Sequence, residues 1–194
     1  MVNIDLPELE QQIKAVMNEK RFRHTLGVMY TAASLAMKFG RGESKDFIHR
    51  TMIAGLLHDN AKCTLDEELL DFCTEHGLCV TPCEASNAFL LHGKVGAYLA
   101  REEYGIDDSD ILNAITWHTT GRPNMSLMEK IVFVADYIEP GRYKQKNLSK
   151  IRELAFTDLD GAVYQIASDT VDYITENNKS LDDMTVKTRD YYKR

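Results

Sequence analysis

His58 and Asp59 stand side by side in AGLLHDNAK, where an apolar run passes without a break into two ionisable residues, with Lys62 just beyond. Four of the six histidines share this kind of setting. Each lies in a separate helical segment or at its end: His24 in RFRHTLGV, His58 in LLHD, His92 at the head of HGKVGAYLAREEYG, and His118 at the foot of ILNAITWH. His24 shares a helix face with Val28, Thr31 and Leu35, and Asp136 interrupts the apolar run IVFVADYIEP. His49 and His76 lie in polar surroundings and read as surface residues. A lone inward histidine is ordinarily just hydrogen-bonded in a core, and a carboxylate in an apolar helix ordinarily pairs with a nearby cation. An unpaired buried carboxylate is costly, however. Four imidazoles and two carboxylates on five helices satisfy one another through metal ions more economically than through separate pairings. Helix-borne ligands converging on a bundle core build such sites. Imidazole plus carboxylate suits iron, zinc, manganese or cobalt.

The elements that must carry these groups are helices. Asp5, Leu6 and Pro7 open a first helix that turns Leu9, Ile13, Val16 and Met17 inward. A second runs from about Lys20 to Phe39 and ends at Gly40 in the C′ position. A third carries Phe47, Ile48, Met52, Ile53 and Leu56 inward towards LLHD. TLDE at 64–67, TPCE at 81–84 and SLME at 126–129 fit the capping box, in which Ser or Thr caps a helix and Glu reaches back. Gly77 and Gly105 read as helix stops. TTGRPNM at 119–125 is a loop, as is the basic PGRYKQKN from Pro140. The spacing predicts an all-α bundle of eight to ten helices. It forms one domain over 1–194, with a helical tail from about 145 that carries no catalytic motif.

With 194 residues, 44 % of them hydrophobic, the chain can bury one sizeable core. A net charge of −7 and the lack of a basic stripe exclude a general nucleic-acid binder. An anionic small substrate stays open if metal ions concentrate positive charge locally. No stretch approaches the ~18 apolar residues of a membrane span, and MVNIDLPELEQQ lacks the form of a signal peptide, so a cytoplasmic location is expected. Cys63, Cys73, Cys79 and Cys83 form no C-x-x-C pair and read as ordinary reduced side chains.

The order His24, His58-Asp59, Asp136 resembles the signature of the HD-domain metal-dependent phosphohydrolases, with His92 and His118 as the extra ligands of its two-metal members. The likeness is closer to one bacterial branch, the YqeK-type symmetrical diadenosine tetraphosphate hydrolases. RFRHTLGV, LLHDNAK, HG at 92–93, WHTTGRPNMS and VFVADYIEPGR carry it, over nearly the whole chain. The resemblance implies an HD-domain helical bundle and two divalent transition metals, iron foremost. One metal takes His24, His58, Asp59 and Asp136, the other Asp59, His92 and His118, so that Asp59 bridges. Metals about 3.5–4 Å apart clamp a phosphoryl group and lower the pKa of a water towards ~7. The implied reaction is hydrolysis of diadenosine tetraphosphate at a central phosphate by a metal-bound hydroxide, giving two ADP. Lys62, placed by the motif near phosphate, is assigned with Asp59 to catalysis. Lys62, Arg122, Arg142 and Thr119, with Thr120 as a further hydroxyl, are the expected polyphosphate contacts. Arg21 and Arg23 carry less weight, and Trp117 and Tyr137 read as packing residues.

The partner implied is a dinucleoside polyphosphate or an ADP- or GDP-like nucleotide, with neither a nucleic-acid polymer nor a membrane, and a homodimer stays open. Another HD-type nucleotide phosphohydrolase is the nearest alternative. One-metal nucleotidases lack counterparts of His92 and His118, and the Gly-Tyr-Pro signature of the cyclic-dinucleotide branch is absent. A di-iron oxygenase with a similar ligand set would consume oxygen instead of cleaving a phosphate bond. A non-catalytic nucleotide sensor would not need an intact ligand set.

Overall fold

LMEKIVFVADYI is apolar almost all the way round, and a helix of that kind belongs at the centre of a bundle. The computed structural model, which describes residues 4–194, places it there. Among the described residues there are eleven α-helices, one 3₁₀ turn and no strand. The helices are α1 (Leu6–Val16), α2 (Glu19–Phe39), α3 (Phe47–Leu57), α4 (Asp66–Glu75), α5 (Pro82–Ser86), α6 (His92–Glu102), α7 (Ser109–Trp117), α8 (Leu127–Ile138), α9 (Leu148–Thr157), α10 (Leu159–Glu176) and α11 (Asp183–Tyr192). A 3₁₀ turn at Ala88–Leu91 runs directly into α6. The count exceeds the expected eight to ten partly because the short α5 stands as an element of its own.

Helix α8 buries Met128, Ile131, Val132, Phe133, Val134, Ala135 and Ile138 and packs against α2, α3, α7 and α10. Val28, Ala32 and Leu35 of α2 and Ile53, Leu56 and Leu57 of α3 meet it in one core. Ile151, Ala155, Leu159, Val163 and Ile166 from α9 and α10 join the same cluster. A smaller cluster of Leu69, Cys73, Ala88, Leu91 and Val95 seats α4 against the start of α6. Helices α6 and α7 touch at Gly93, where an added Cβ would lie 2.6 Å from the Thr116 carbonyl oxygen. That close approach is what sets His92 against His118. No helix among the described residues is long and apolar enough to cross a membrane.

The boxes at Thr81–Glu84 and Ser126–Glu129 form as expected, each with both reciprocal hydrogen bonds. Gly77 and Gly105 stop their helices at positive φ. Four details differ. The cap of α4 is Leu65, whose N–H donates to Glu68 Oε2, so the TLDE box is one residue out of register. Gly40 caps α2 with φ −77°, and what it needs is room: a Cβ there would lie 2.9 Å from the Phe47 ring. Val16 and Ile48 are exposed (55 % and 38 %), since each lies in a terminal turn that the core does not cover. All four cysteines are free, and Cys73 is buried.

Candidate metal centre

Five helices end at or run through one point. His24 lies in the second turn of α2, His58 caps the C-terminus of α3, and Asp59 opens the turns that follow. His92 is the first residue of α6, His118 caps α7, and Asp136 sits in the last turn of α8. The carboxylate of Asp59, almost fully buried, lies on the floor between them. Its Oδ2 is 3.3 Å from His58 Nε2 and 3.8 Å from His24 Nε2. Its Oδ1 faces the other way, 3.4 Å from His92 Nε2 and 3.5 Å from His118 Nε2. Asp136 Oδ1 completes the first group, 3.0 Å from His24 Nε2 and 3.9 Å from His58 Nε2. All six ligand candidates predicted from the sequence are thus brought together.

The hydrogen bonds to the far side of each ring fix which nitrogen faces inward. His58 Nδ1 donates to Gly55 O at 2.7 Å, His118 Nδ1 to Ile115 O at 2.7 Å, and His92 Nδ1 to Phe89 O at 2.5 Å. Each acceptor lies three residues back: Gly55 and Ile115 in a last helical turn, where carbonyls lack an α-helical partner, and Phe89 in the 3₁₀ turn before α6. His24 Nδ1 instead donates to Glu139 Oε1 at 3.1 Å. A carbonyl or carboxylate can only accept, so in the neutral imidazoles all four Nε2 atoms present lone pairs to the centre.

The centre is therefore a convergence of acceptors. His92 Nε2 and His118 Nε2 are 2.9 Å apart, and the Thr119 hydroxyl lies 3.2 and 3.1 Å from them, with one proton for two lone pairs. His58 Nε2 is buried with no hydrogen-bond partner. Tetrahedral ligands about 2.0–2.1 Å from an ion stand about 3.3 Å from one another, which falls within the range of the donor spacings above. The residues present fit divalent metal, and His24, His58 and Asp136 form one candidate triad and His58, Asp59 and His118 another.

Ionisation suits the same reading. Burial acts to raise the Asp59 pKa, but the neighbouring imidazoles of His58 and His118 outweigh it and hold the carboxyl well below the usual range. Asp136 follows the same pattern, with burial opposed by the neighbouring His24 and by the Arg142 charge. His92 is pushed well below its ordinary value by burial, then by the charges of Lys62 and His118, a shift that favours the neutral ring a cation would need.

Cations ring the opening. Arg142 Nη2 contacts Asp136 Oδ1 at 2.5 Å and lies 3.4 Å from His24 Nε2. Arg21 Nη1 contacts Asp59 Oδ2 at 2.6 Å, a role that its place at a helix start did not suggest. Lys62 Nζ lies 3.1 Å from His92 Nε2 and 3.4 Å from the centre of the Phe89 ring, and burial pulls its pKa down to about 8. Thr119 reaches the centre, whereas the Thr120 hydroxyl donates to the Gly121 carbonyl and Arg23 pairs with Glu19 at the surface. Arg122 is not brought to the ligand candidates in this arrangement. Its guanidinium grips buried Glu129 through two bonds of 2.5 and 2.9 Å. The Tyr137 hydroxyl is bonded to the Lys146 carbonyl. Sequence reasoning missed Glu139. The available signal was a carboxylate one turn beyond Asp136, in IEPGR.

Comparison with known proteins agrees with this geometry. A family model described as the HD domain matches residues 21–141, the segment that holds all six converging side chains. The chain is 40 % identical over 178 residues to a symmetrical bis(5'-nucleosyl)-tetraphosphatase of Halalkalibacterium halodurans, covering 92 % of this chain and 91 % of that one. It is 39 % identical over 169 residues to a Bacillus subtilis protein of the same name, covering 87 % of each. A Clostridium acetobutylicum crystal structure, described as a predicted HD superfamily hydrolase involved in NAD metabolism, superposes with a TM-score of 0.90 at 39 % identity, over 97 % of both chains.

Proposed function

The chain belongs to the HD domain family, and on that premise we propose that it is a metal-dependent symmetrical dinucleoside tetraphosphatase, converting diadenosine tetraphosphate into two ADP. One observation carries the two-metal form of this reading: the two oxygens of Asp59 face two separate sets of imidazoles. His24, His58 and Asp136 would hold one ion with Asp59 Oδ2, and His92 and His118 the other with Asp59 Oδ1. Iron is the first candidate for both, with zinc, manganese and cobalt suited to the same donors. Two such ions would supply a clamp on phosphoryl oxygens and a nucleophile from water at neutral pH.

The protein's own side chains bind and orient the substrate. Arg21, Lys62 and Arg142 match Asp59, Asp136 and Glu139 charge for charge, so the pocket's surplus positive charge is what the ions bring. An acidic protein thereby acquires local attraction for polyphosphate. Arg142 and Arg21, each about 30 % exposed (30 % and 29 %), stand at the rim, where a guanidinium can hold phosphate oxygens bidentately. Lys62 and the Thr119 hydroxyl face the His92 side. An open cavity of about 620 Å³ adjoins Arg142, lined by Tyr143, Lys150 and Arg152 among others, and gives a nucleoside half room outside the centre. A water-derived oxygen attacks one β-phosphorus in line, the bond to the oxygen bridging the two β-phosphates breaks, and the second ADP leaves with its new charge facing the rim cations. Because Arg122 is engaged with Glu129, it contacts substrate only by leaving that pair. Such a nucleotide substrate favours a cytoplasmic location.

The test is product analysis in ¹⁸O-labelled water. ADP as the sole nucleotide product, with one label on a β-phosphate in half of it, is expected. AMP with ATP would overturn the phosphate register, and oxygen uptake without phosphate-bond cleavage would overturn hydrolysis itself.

A further inference from the structure

His24 differs from the other three imidazoles in how it is held. His58 and His118 each lean on a carbonyl three residues back, in the last turn of their own helix, and His92 leans on one in the 3₁₀ turn that leads into α6. His24 lies inside α2, a helix that runs on to Phe39, and there the neighbouring carbonyls are taken by intrahelical bonds. Its Nδ1–H needs a partner from outside the helix. Glu139 supplies one from the turn after α8. That carboxylate is 4 % exposed. Its Oε1 accepts from His24 Nδ1, and its Oε2 accepts from the Gly141 N–H at 2.5 Å. The room for it comes from α2 itself: a Cβ on Gly27 would lie 2.5 Å from Glu139 Oε2. A buried carboxylate is a poor choice for merely closing a turn, since an amide or an apolar residue would cost less desolvation. It suits a histidine whose other nitrogen binds a cation, because a carboxylate partner fixes the ring and strengthens it as a ligand.

We infer that Glu139 is a positioning residue for His24 alone, so that its loss weakens the His24–His58–Asp136 subsite and spares the one formed by Asp59, His92 and His118. This rests on the two-metal reading above. Both oxygens of Glu139 are committed as acceptors, so Glu139→Gln must place its amide donor against one of two N–H groups. Gly27→Ala attacks the same contact from α2 with Glu139 intact.

The experiment uses chelated, full-length protein titrated with Mn²⁺, with bound metal read by equilibrium dialysis and thermal midpoints taken with and without metal. Wild type is expected to show two classes of site. Glu139→Gln and Gly27→Ala should each weaken one class about 10- to 100-fold and leave the other intact. Their chelated midpoints should change less than the rise that Mn²⁺ gives wild type. His118→Ala, the counter-control, should weaken the opposite class, so that combining it with Glu139→Gln leaves no tight site. Equal weakening of both classes, no weakening, or a chelated midpoint that falls as far as the loaded one would overturn the inference. If wild type binds a single ion, the two-metal reading fails, and the inference then stands or falls on whether Glu139→Gln weakens that ion's site. If Glu139→Gln does not fold, Gly27→Ala decides.

Discussion

Within residues 21–141 a set of buried imidazoles converges on the Asp59 carboxylate, and within the last three helices no such cluster forms among the described residues. His58, Asp59, His92 and His118 face a common centre in which acceptors outnumber donors. In the tail, buried Asp169 is satisfied by the amides of Asn147 and Gln165, and the buried Thr188 hydroxyl donates back to Met184 O. Polar groups satisfied by their neighbours hold a fold together, whereas polar groups left short of donors require a cation or a substrate. The tail nonetheless braces both loops that flank the centre. Arg152 donates to the carbonyls of Ile138, Glu139 and Arg142, each at 3.0 Å, and Tyr192 Oη accepts from the Met125 N–H at 2.9 Å. Chemistry thus sits in one part of the chain and the stiffness of its loops in another.

The division predicts a graded series. Asp59→Ala should have the largest effect, losing both ions and with them hydrolysis. Metal content equal to wild type would remove its bridging role. Next comes Arg142→Ala, which should keep its metal and lose charge-assisted hydrogen bonds worth ~1.5–3 kcal/mol, or about ten- to a hundredfold in kcat/KM. Arg122→Ala should act differently, because it leaves buried Glu129 short of its partner. Its loss is expected in the melting temperature, by about 2 kcal/mol of stability, with kcat/KM near wild type; the reverse pattern would return Arg122 to the substrate. Arg152→Ala tests whether the tail matters to catalysis: kcat/KM should fall about three- to tenfold, or ~1 kcal/mol, with metal content kept. No change would leave the tail as packing alone. Tyr192→Phe should be mildest, removing one hydrogen bond worth ~1 kcal/mol and lowering the melting temperature by about 2–4 °C without a change in kcat.

The converging ligand candidates were legible because their residue types were out of place. Histidines at the ends of apolar helices and a carboxylate inside one have few inexpensive explanations, and the motif order supplied the rest. Partners set by tertiary contact were not legible. Glu139 lies 115 residues from His24, and Arg21 reaches Asp59 across 38. Arg122 looked free because Glu129 had already been assigned to the box with Ser126; its Oε2 accepts from both Ser126 N–H and the guanidinium. The shifted cap at Leu65 and the exposed Val16 and Ile48 lie at helix ends, where periodicity has too few turns to separate an inward face from an outward one.

Gly27 carries a consequence for anyone seeking a sturdier protein. A glycine inside a long helix is the usual first target for thermostabilisation, since alanine there gains about 1 kcal/mol of helix propensity. At this position the same methyl group would occupy the slot filled by Glu139 Oε2. The helix-propensity gain is therefore set against the displacement of a buried carboxylate that accepts from both His24 and Gly141, and a glycine-to-alanine scan of α2 should treat this position as an exception.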